Sequence, residues 1–163
     1  DDAADAIQGL SGIKKLKVFK RLGIRKAKIL NQLTSYQPDL AGGLMTADYF
    51  AIRETSTIKN AIDEIRNRSE QHRSIYHLFV VDEEEHLKGV ISIRTLLLTP
   101  HSTKIFKIMS PVLTTVKPSA TEEEVARILT KYNLLSVAVV DDEKHLRGAV
   151  TVDDVMRRFV PDA

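Results

Sequence analysis

The chain has no cysteine in its 163 residues, which excludes disulfides, thiolate catalysis and zinc sites of the cysteine type and is compatible with a reducing cytoplasm. Long apolar runs are also missing. Leu-Phe-Val-Val at 78–81 and Leu-Leu-Leu at 96–98 are typical, far short of the roughly 20 residues that a spanning helix needs. The acidic opening Asp1-Asp2-Ala3-Ala4-Asp5-Ala6 lacks the basic region and apolar stretch of a signal peptide. Charge of one sign is scarce too: 24 basic against 22 acidic residues leave a formal charge of +2, so nothing global marks a polyanion partner. What is present is a globular composition, 43% hydrophobic and 28% charged, enough to bury a core and stay soluble. The length suits one ordinary domain or two very small ones packed together.

A repeat decides for two. Leu78 to Leu97, "LFVVDEEEHLKGVISIRTLL", matches Val137 to Met156, "VAVVDDEKHLRGAVTVDDVM", without a gap at an offset of 59, and seven positions are identical. Upstream, Leu44 to Thr57, "LMTADYFAIRETST", matches Ile108 to Thr121, "IMSPVLTTVKPSAT", at an offset of 64. The shift, 64 − 59 = 5, gives the first copy five extra residues, expected in the polar stretch "NRSEQHRS".

Each copy reads as a short strand, a helix, two strands and a second helix. Thr57 and Thr121 are expected helix N-caps, after short strands at Ile52 and Val116. Ile58, Ala61, Ile62 and Ile65 share one helix face, as do Val125, Ile128, Leu129 and Tyr132. The runs ending in Val-Val-Asp are buried strands, and hairpin turns lead from them to "LKGVIS" and "LRGAVT". One such unit leaves apolar faces uncovered, so two must pack sheet against sheet. The fold class is α+β, a pair of β-α-β-β-α units, preceded over residues 1–40 by short helices broken at Gly12 and Gly23.

The repeat, its spacing and the string "GAVTVDD" (Gly148 to Asp154) resemble a tandem pair of cystathionine-β-synthase (CBS) domains over about Ala41 to Val160. The bounds expected are 1–40 for the helical segment, 41–107 for the first copy and 108–160 for the second. "AGGLMT" at Ala41 to Thr46, after a segment containing "DDAADA", is similar to magnesium transporters of the MgtE type. That resemblance implies a cytoplasmic helical N-domain leading into the CBS pair and then to a dimeric membrane pore. It further implies that this chain begins within the last helices of the N-domain and stops before the pore. The expected function is a Mg²⁺-sensing regulatory region, at the cytoplasmic face of the cell membrane in a full transporter, without enzyme activity. A twofold homodimer through the CBS domains is expected, with no nucleic-acid partner.

Several residues carry candidate chemistry. Asp1 and Asp5 stand i and i+4 on a helix, where two carboxylates either complement the dipole or share a cation that takes hard oxygen ligands. The resemblance implies that they ligate Mg²⁺ together with Asp154, and it adds Glu123 as a further metal position. Glu123 lies in the acidic run Glu122 to Glu124, which also suits a helix start. Thr151, three residues before Asp154, fits a helix cap or a phosphate site at a helix start. The alternative function is an adenine-nucleotide module, for ATP, ADP or AMP, with Thr151 and Asp154 as ligands, His77 on the strand that would flank adenine, and Arg94. A third reading is a ligand-free dimerisation module. The first copy has Thr95 where the second has Asp154, Leu134 replaces an aromatic of some family members, and Asn133 and Arg157 replace acids near family metal sites. These departures imply fewer or weaker sites.

His86 and His145 occupy equivalent turn positions and are expected on the surface with no third ligand nearby. No Ser/His/Asp order, P-loop or Gly-rich dinucleotide signature occurs. The basic stretch Ile13 to Lys28 reads as a solvated helix face or a contact with an acidic surface.

Overall fold

A computed structural model describes residues 36–47, 49–68 and 75–159. After a short helix α1 (Ala41–Leu44), the first copy runs β1 (Ala51–Arg53), α2 (Ile58–Arg68), β2 (His77–Val81), β3 (Leu87–Ser92) and α3 (Ile93–Leu98). A 3₁₀ turn at Ile105–Lys107 leads into the second copy: β4 (Thr115–Val116), α4 (Glu122–Lys131), β5 (Ser136–Val140), β6 (Leu146–Thr151) and α5 (Val152–Phe159). The β-α-β-β-α order read from the sequence is therefore present twice. Of the helical segment expected over 1–40, residues 1–35 lie outside the described residues, as does the "NRSEQHRS" stretch beyond Arg68, and residues 36–40 form a turn and a bridge rather than a helix.

Each copy is a three-stranded sheet, β1-β2-β3 and β4-β5-β6. The first pair in each is parallel and the second antiparallel. A parallel pair needs a crossover, which α2 and α4 supply, while the antiparallel pair needs only a hairpin. The turn chemistry is written into the repeated Asp and His. Asp82 Oδ1 accepts from the backbone N–H groups of Glu84 (3.0 Å) and His86 (2.9 Å), and Asp141 Oδ1 does the same for Glu143 and His145 at the same distances. Glu85 and Lys144 then take the left-handed backbone, φ 71° and 69°. Both caps expected at the crossover helices form. Thr121 makes a full capping box with Glu124, and Thr57 exchanges hydrogen bonds with Asn60.

The core has three parts. One lies around Ile58, Leu78, Val80, Ile91 and Leu96 in the first copy, and one around Val125, Leu129, Val137, Val139 and Val150 in the second. The third joins the two sheets face to face through Phe79, Val81, Ala138, Val140, Leu146 and Ala149. Strands β2 and β5 are almost wholly buried because each is covered by its helices on one face and by the other sheet on the opposite face.

The segments at the heads of the copies are exchanged. Thr46 trades two backbone hydrogen bonds with Ala149 of β6 (2.8 and 3.0 Å), and Ser110 trades two with Val90 of β3 (2.9 and 2.8 Å). Ala41, Leu44 and Met45 accordingly pack in the second copy's core, while Ile108 and Met109 pack against the first. The bounds 41–107 and 108–160 thus divide the chain by sequence, whereas the cores are grouped across that division. This exchange accounts for the glycine in each third strand. A Cβ on Gly148 would lie 2.7 Å from Met45 Sδ, and one on Gly89 would lie 2.8 Å from the Ser110 carbonyl oxygen. Both exchanged segments also cover sheet edges that would otherwise be open to pairing.

Candidate functional site

The motifs singled out in the sequence sit where the last strand of each copy turns into its last helix. In the second copy the Thr151 N–H (2.8 Å) and hydroxyl (2.6 Å) both donate to Asp154 Oδ2, and the Asp154 N–H donates to Thr151 Oγ1 (3.2 Å). This is a capping box with Asp in place of the usual Glu or Gln, so the cap role of Thr151 is realised. Asp154 is half-buried. Its Oδ1 accepts no hydrogen bond from the described residues, which leaves a hard carboxylate oxygen on a fixed side chain. That suits Mg²⁺, which takes one or two protein carboxylates and keeps several waters. Beside it, Asp153 Oδ2 accepts from the Tyr76 hydroxyl at 2.5 Å, a contact that ties the first copy to the start of α5.

The other metal candidates are not gathered around Asp154 by the described residues. Glu123 is exposed on the first turn of α4 and accepts from Arg127 at 3.0 Å, a surface pair that contributes only a few tenths of a kcal/mol. Asp1 and Asp5 lie outside the described residues.

In the first copy the same turn carries neutral groups. Thr95 N–H donates to Ser92 Oγ at 3.0 Å, and the two hydroxyls meet at 2.8 Å. Here a cleft of about 310 Å³ opens, lined by Tyr76, His77, Ser92, Thr95, Leu113, Asn133, Leu134 and Ser136 among others. His77 reaches Ser136 Oγ at 3.3 Å and stands edge-on to Phe79, with ring centroids 4.8 Å apart. Burial pushes its imidazole pKa below the ordinary value, so at neutral pH it is an uncharged donor or acceptor. His77 is thus brought into the cleft with Thr95. Thr151, Asp154 and the exposed Arg94 are not among the residues that line it.

His86 and His145, read from the sequence as surface residues without a third ligand, are instead half-buried, and His145 has two further metal-type donors beside it. Their side chains are 29% and 22% exposed. The rings stack on each other with centroids 4.4 Å apart and planes at 22°, because the pairing of the copies brings the two hairpins together. Each Nδ1 is held by the Asp four residues earlier, at 3.0 Å from Asp82 Oδ2 and 3.1 Å from Asp141 Oδ2. Asp141, Glu143 and His145 also place three metal-type donors within 4.8 Å of one another. Asp141 is already committed, since Arg147 donates to its Oδ2 through Nε (2.9 Å) and Nη2 (2.5 Å). Burial raises the Asp141 carboxyl, but Arg147 and the hydrogen bonds from His145 outweigh it and hold the carboxyl at about 2. The repeated Asp-x-Glu-x-His order (82–86 and 141–145) was the signal for this cluster in the sequence.

Comparison with known proteins accords with this architecture. The CBS-domain family matches residues 41–101 and 105–161. The magnesium transporter MgtE of Thermus thermophilus is 38% identical over 161 residues, covering 96% of this chain and 35% of that protein. A crystal structure of the cytosolic domain of the Mg²⁺ channel MgtE in complex with ATP superposes with a TM-score of 0.85 at 36% identity, covering 96% of this chain and 63% of that one. A crystal structure of the soluble part of a magnesium transporter gives 0.87 at 32%, covering 99% and 63%. The chain spans about a third of the length of the transporter it matches, and no helix among the described residues is long and apolar enough to cross a membrane. With two copies of the motif, an exchanged head segment on each sheet and these matches, the chain belongs to the CBS-domain family, as a tandem pair similar to the cytosolic part of MgtE-type magnesium transporters.

Proposed function

We propose that the chain is a cytoplasmic, non-catalytic regulatory region that senses Mg²⁺ and gates a magnesium transporter whose pore lies in another segment. One observation carries the reading. The match to a magnesium transporter of Bacillus subtilis, 30% identical, extends over 100% of the chain, beyond the CBS pair and into residues 1–40, where Asp1 and Asp5 stand. Mg²⁺ bridging these aspartates and Asp154 would neutralise carboxylates that otherwise repel, and so favour a compact state. The shift in population equals the differential affinity of the ion for the two states and no more. Glu123 is a peripheral contributor in this scheme. Limited proteolysis of the segment ahead of Ala41 tests the reading. Mg²⁺ is expected to slow cleavage in the parent chain and to have no effect in Asp154→Ala, and equal protection in both would contradict it.

The same reading includes a twofold homodimer through the CBS domains. Leu97 and Leu98 on α3 and Met156 on α5, the last equivalent to Leu97, are 73%, 73% and 53% exposed, more apolar surface on two helices than solvent contact favours.

A second reading, adenine-nucleotide binding, is favoured by the cleft at His77 and Thr95. Its neutral hydroxyl and amide lining fits a heteroaromatic ring, whereas the ribose carboxylate is missing at Thr95 and the expected ligands Thr151 and Asp154 lie outside the cleft. Titration with ATP in the absence of metal tests it. Saturable binding weakened in His77→Ala supports the reading, and no binding contradicts it.

A further inference from the structure

The cleft at His77 carries no charge. None of the sixteen residues that line it is ionised at neutral pH, in a chain of which 28% is charged. The charged group tied to its wall is negative, for Tyr76 in the lining donates its hydroxyl to Asp153 Oδ2 at 2.5 Å. Arg94, next to Thr95 in the chain, is exposed and outside the lining. The Thr95 N–H at the start of α3 is committed to Ser92 Oγ. A phosphate brought into this cleft would leave water for walls without a counter-charge, and burying an unpaired charge is costly. What the walls offer instead is flat and neutral. Tyr76, His77 and Phe79 supply aromatic surface, and Leu113, Leu134 and Leu135 aliphatic surface. Ser136, also in the lining, is the one buried polar side chain among the described residues, 7% exposed, and it meets His77 Nε2 at 3.3 Å. When Ser136 donates in that bond, His77 carries its proton on Nδ1; when Nε2 donates, Nδ1 becomes an acceptor. The pair therefore matches a ring with either a donor or an acceptor on its edge.

We propose that the cleft selects an uncharged planar heterocycle, a nucleobase or its nucleoside, and holds it through the ring rather than through sugar or phosphate. The proposal deepens the second reading and rests on it for the place of the ring. It departs from that reading in the ligand class, because a phosphate gains nothing here and Thr95 gives ribose hydroxyls no carboxylate.

The test is a calorimetric titration of the 163-residue chain, without metal, with adenosine, with dideoxyadenosine, which lacks both ribose hydroxyls, and with ATP. Adenosine is expected to bind saturably, dideoxyadenosine equally well, and ATP no more tightly than adenosine, with adenosine affinity indifferent to ionic strength. Arg94→Ala is expected to change none of these. Thr95→Asp supplies the gain of function. The second copy shows that the turn accepts an aspartate, since Asp154 at the equivalent position caps Thr151 through Oδ2. This variant is expected to bind adenosine roughly tenfold more tightly than dideoxyadenosine, the equivalent of a hydrogen bond to a charged group. Tighter binding of ATP than of adenosine, or weaker ATP binding in Arg94→Ala, overturns the proposal and leaves the nucleotide reading standing. A preference for adenosine over dideoxyadenosine in the parent chain, or none in Thr95→Asp, also overturns it, the latter by placing the ligand away from this turn. Binding of adenosine without binding of ATP supports the proposal against the nucleotide reading, and no binding of any of the three overturns both.

Discussion

Two glycines show how single residues set this fold. Gly89 and Gly148 occupy the same position in the repeat but face different neighbours. Gly89 is against a backbone carbonyl, Ser110, and Gly148 against the side chain of Met45. The two nearest Met45 atoms, Sδ and Cγ, can shift by side-chain rotation and leave only its Cβ at 3.0 Å, whereas the Ser110 carbonyl cannot move without losing its pairing with Val90. Gly89→Ala is therefore expected to cost about 1–3 kcal/mol, in the range of overpacking, and Gly148→Ala distinctly less. Urea unfolding of the two variants checks the order, and equal costs would mean that the exchanged segment yields as readily as a side chain. At this scale the candidate site was half legible. Thr151 and Asp154 were identifiable as either a cap or a ligand pair because the two roles ask for the same spacing. Only the three hydrogen bonds between them show that the cap is made and that a single oxygen of Asp154 is left over.

Among the elements, each β-hairpin holds an Asp–His pair, and the second adds Arg147. Asp141 is drawn to about 2 by Arg147 and His145 against the opposing effect of burial. A carboxyl whose folded value is depressed stabilises the fold above its unfolded value, near 4, and that contribution is lost as the pH falls toward the folded value. Arg147→Met is expected to move acid unfolding to higher pH, with the gap from the parent closing near pH 2. Circular dichroism across pH 2 to 6 would read it, and superimposable curves would show that Arg147 does not hold the carboxyl down. The strands themselves were read closely: "LKGVIS" and "LRGAVT" are β3 and β6 to the residue, because alternation ends at a helix cap on one side and a turn on the other. The stacking of His86 on His145 was not legible, since it depends on how two distant hairpins meet and no local pattern encodes that.

The whole molecule is two copies bound together by what they exchange. The strings Leu-Met-Thr and Ile-Met-Ser are near equivalents, and either could pair with either sheet. The sequence therefore announced two units and their face-to-face packing without revealing which head segment completes which sheet. That choice is made by tertiary fit between a methionine-bearing strand and a glycine. If the exposed Leu97 and Leu98 of α3 lie in a homodimer interface, Leu97→Asp is expected to convert the protein to a monomer in sedimentation experiments, and an unchanged dimer would move the interface elsewhere. The central claim, that Mg²⁺ joins the segment ahead of the pair to Asp154, is tested most directly by calorimetric titration with MgCl₂ of the parent chain and of Asp5→Ala combined with Asp154→Ala. The account expects saturable binding in the parent chain that the double variant loses. Absence of binding in the parent, or binding that the double variant keeps, would contradict it.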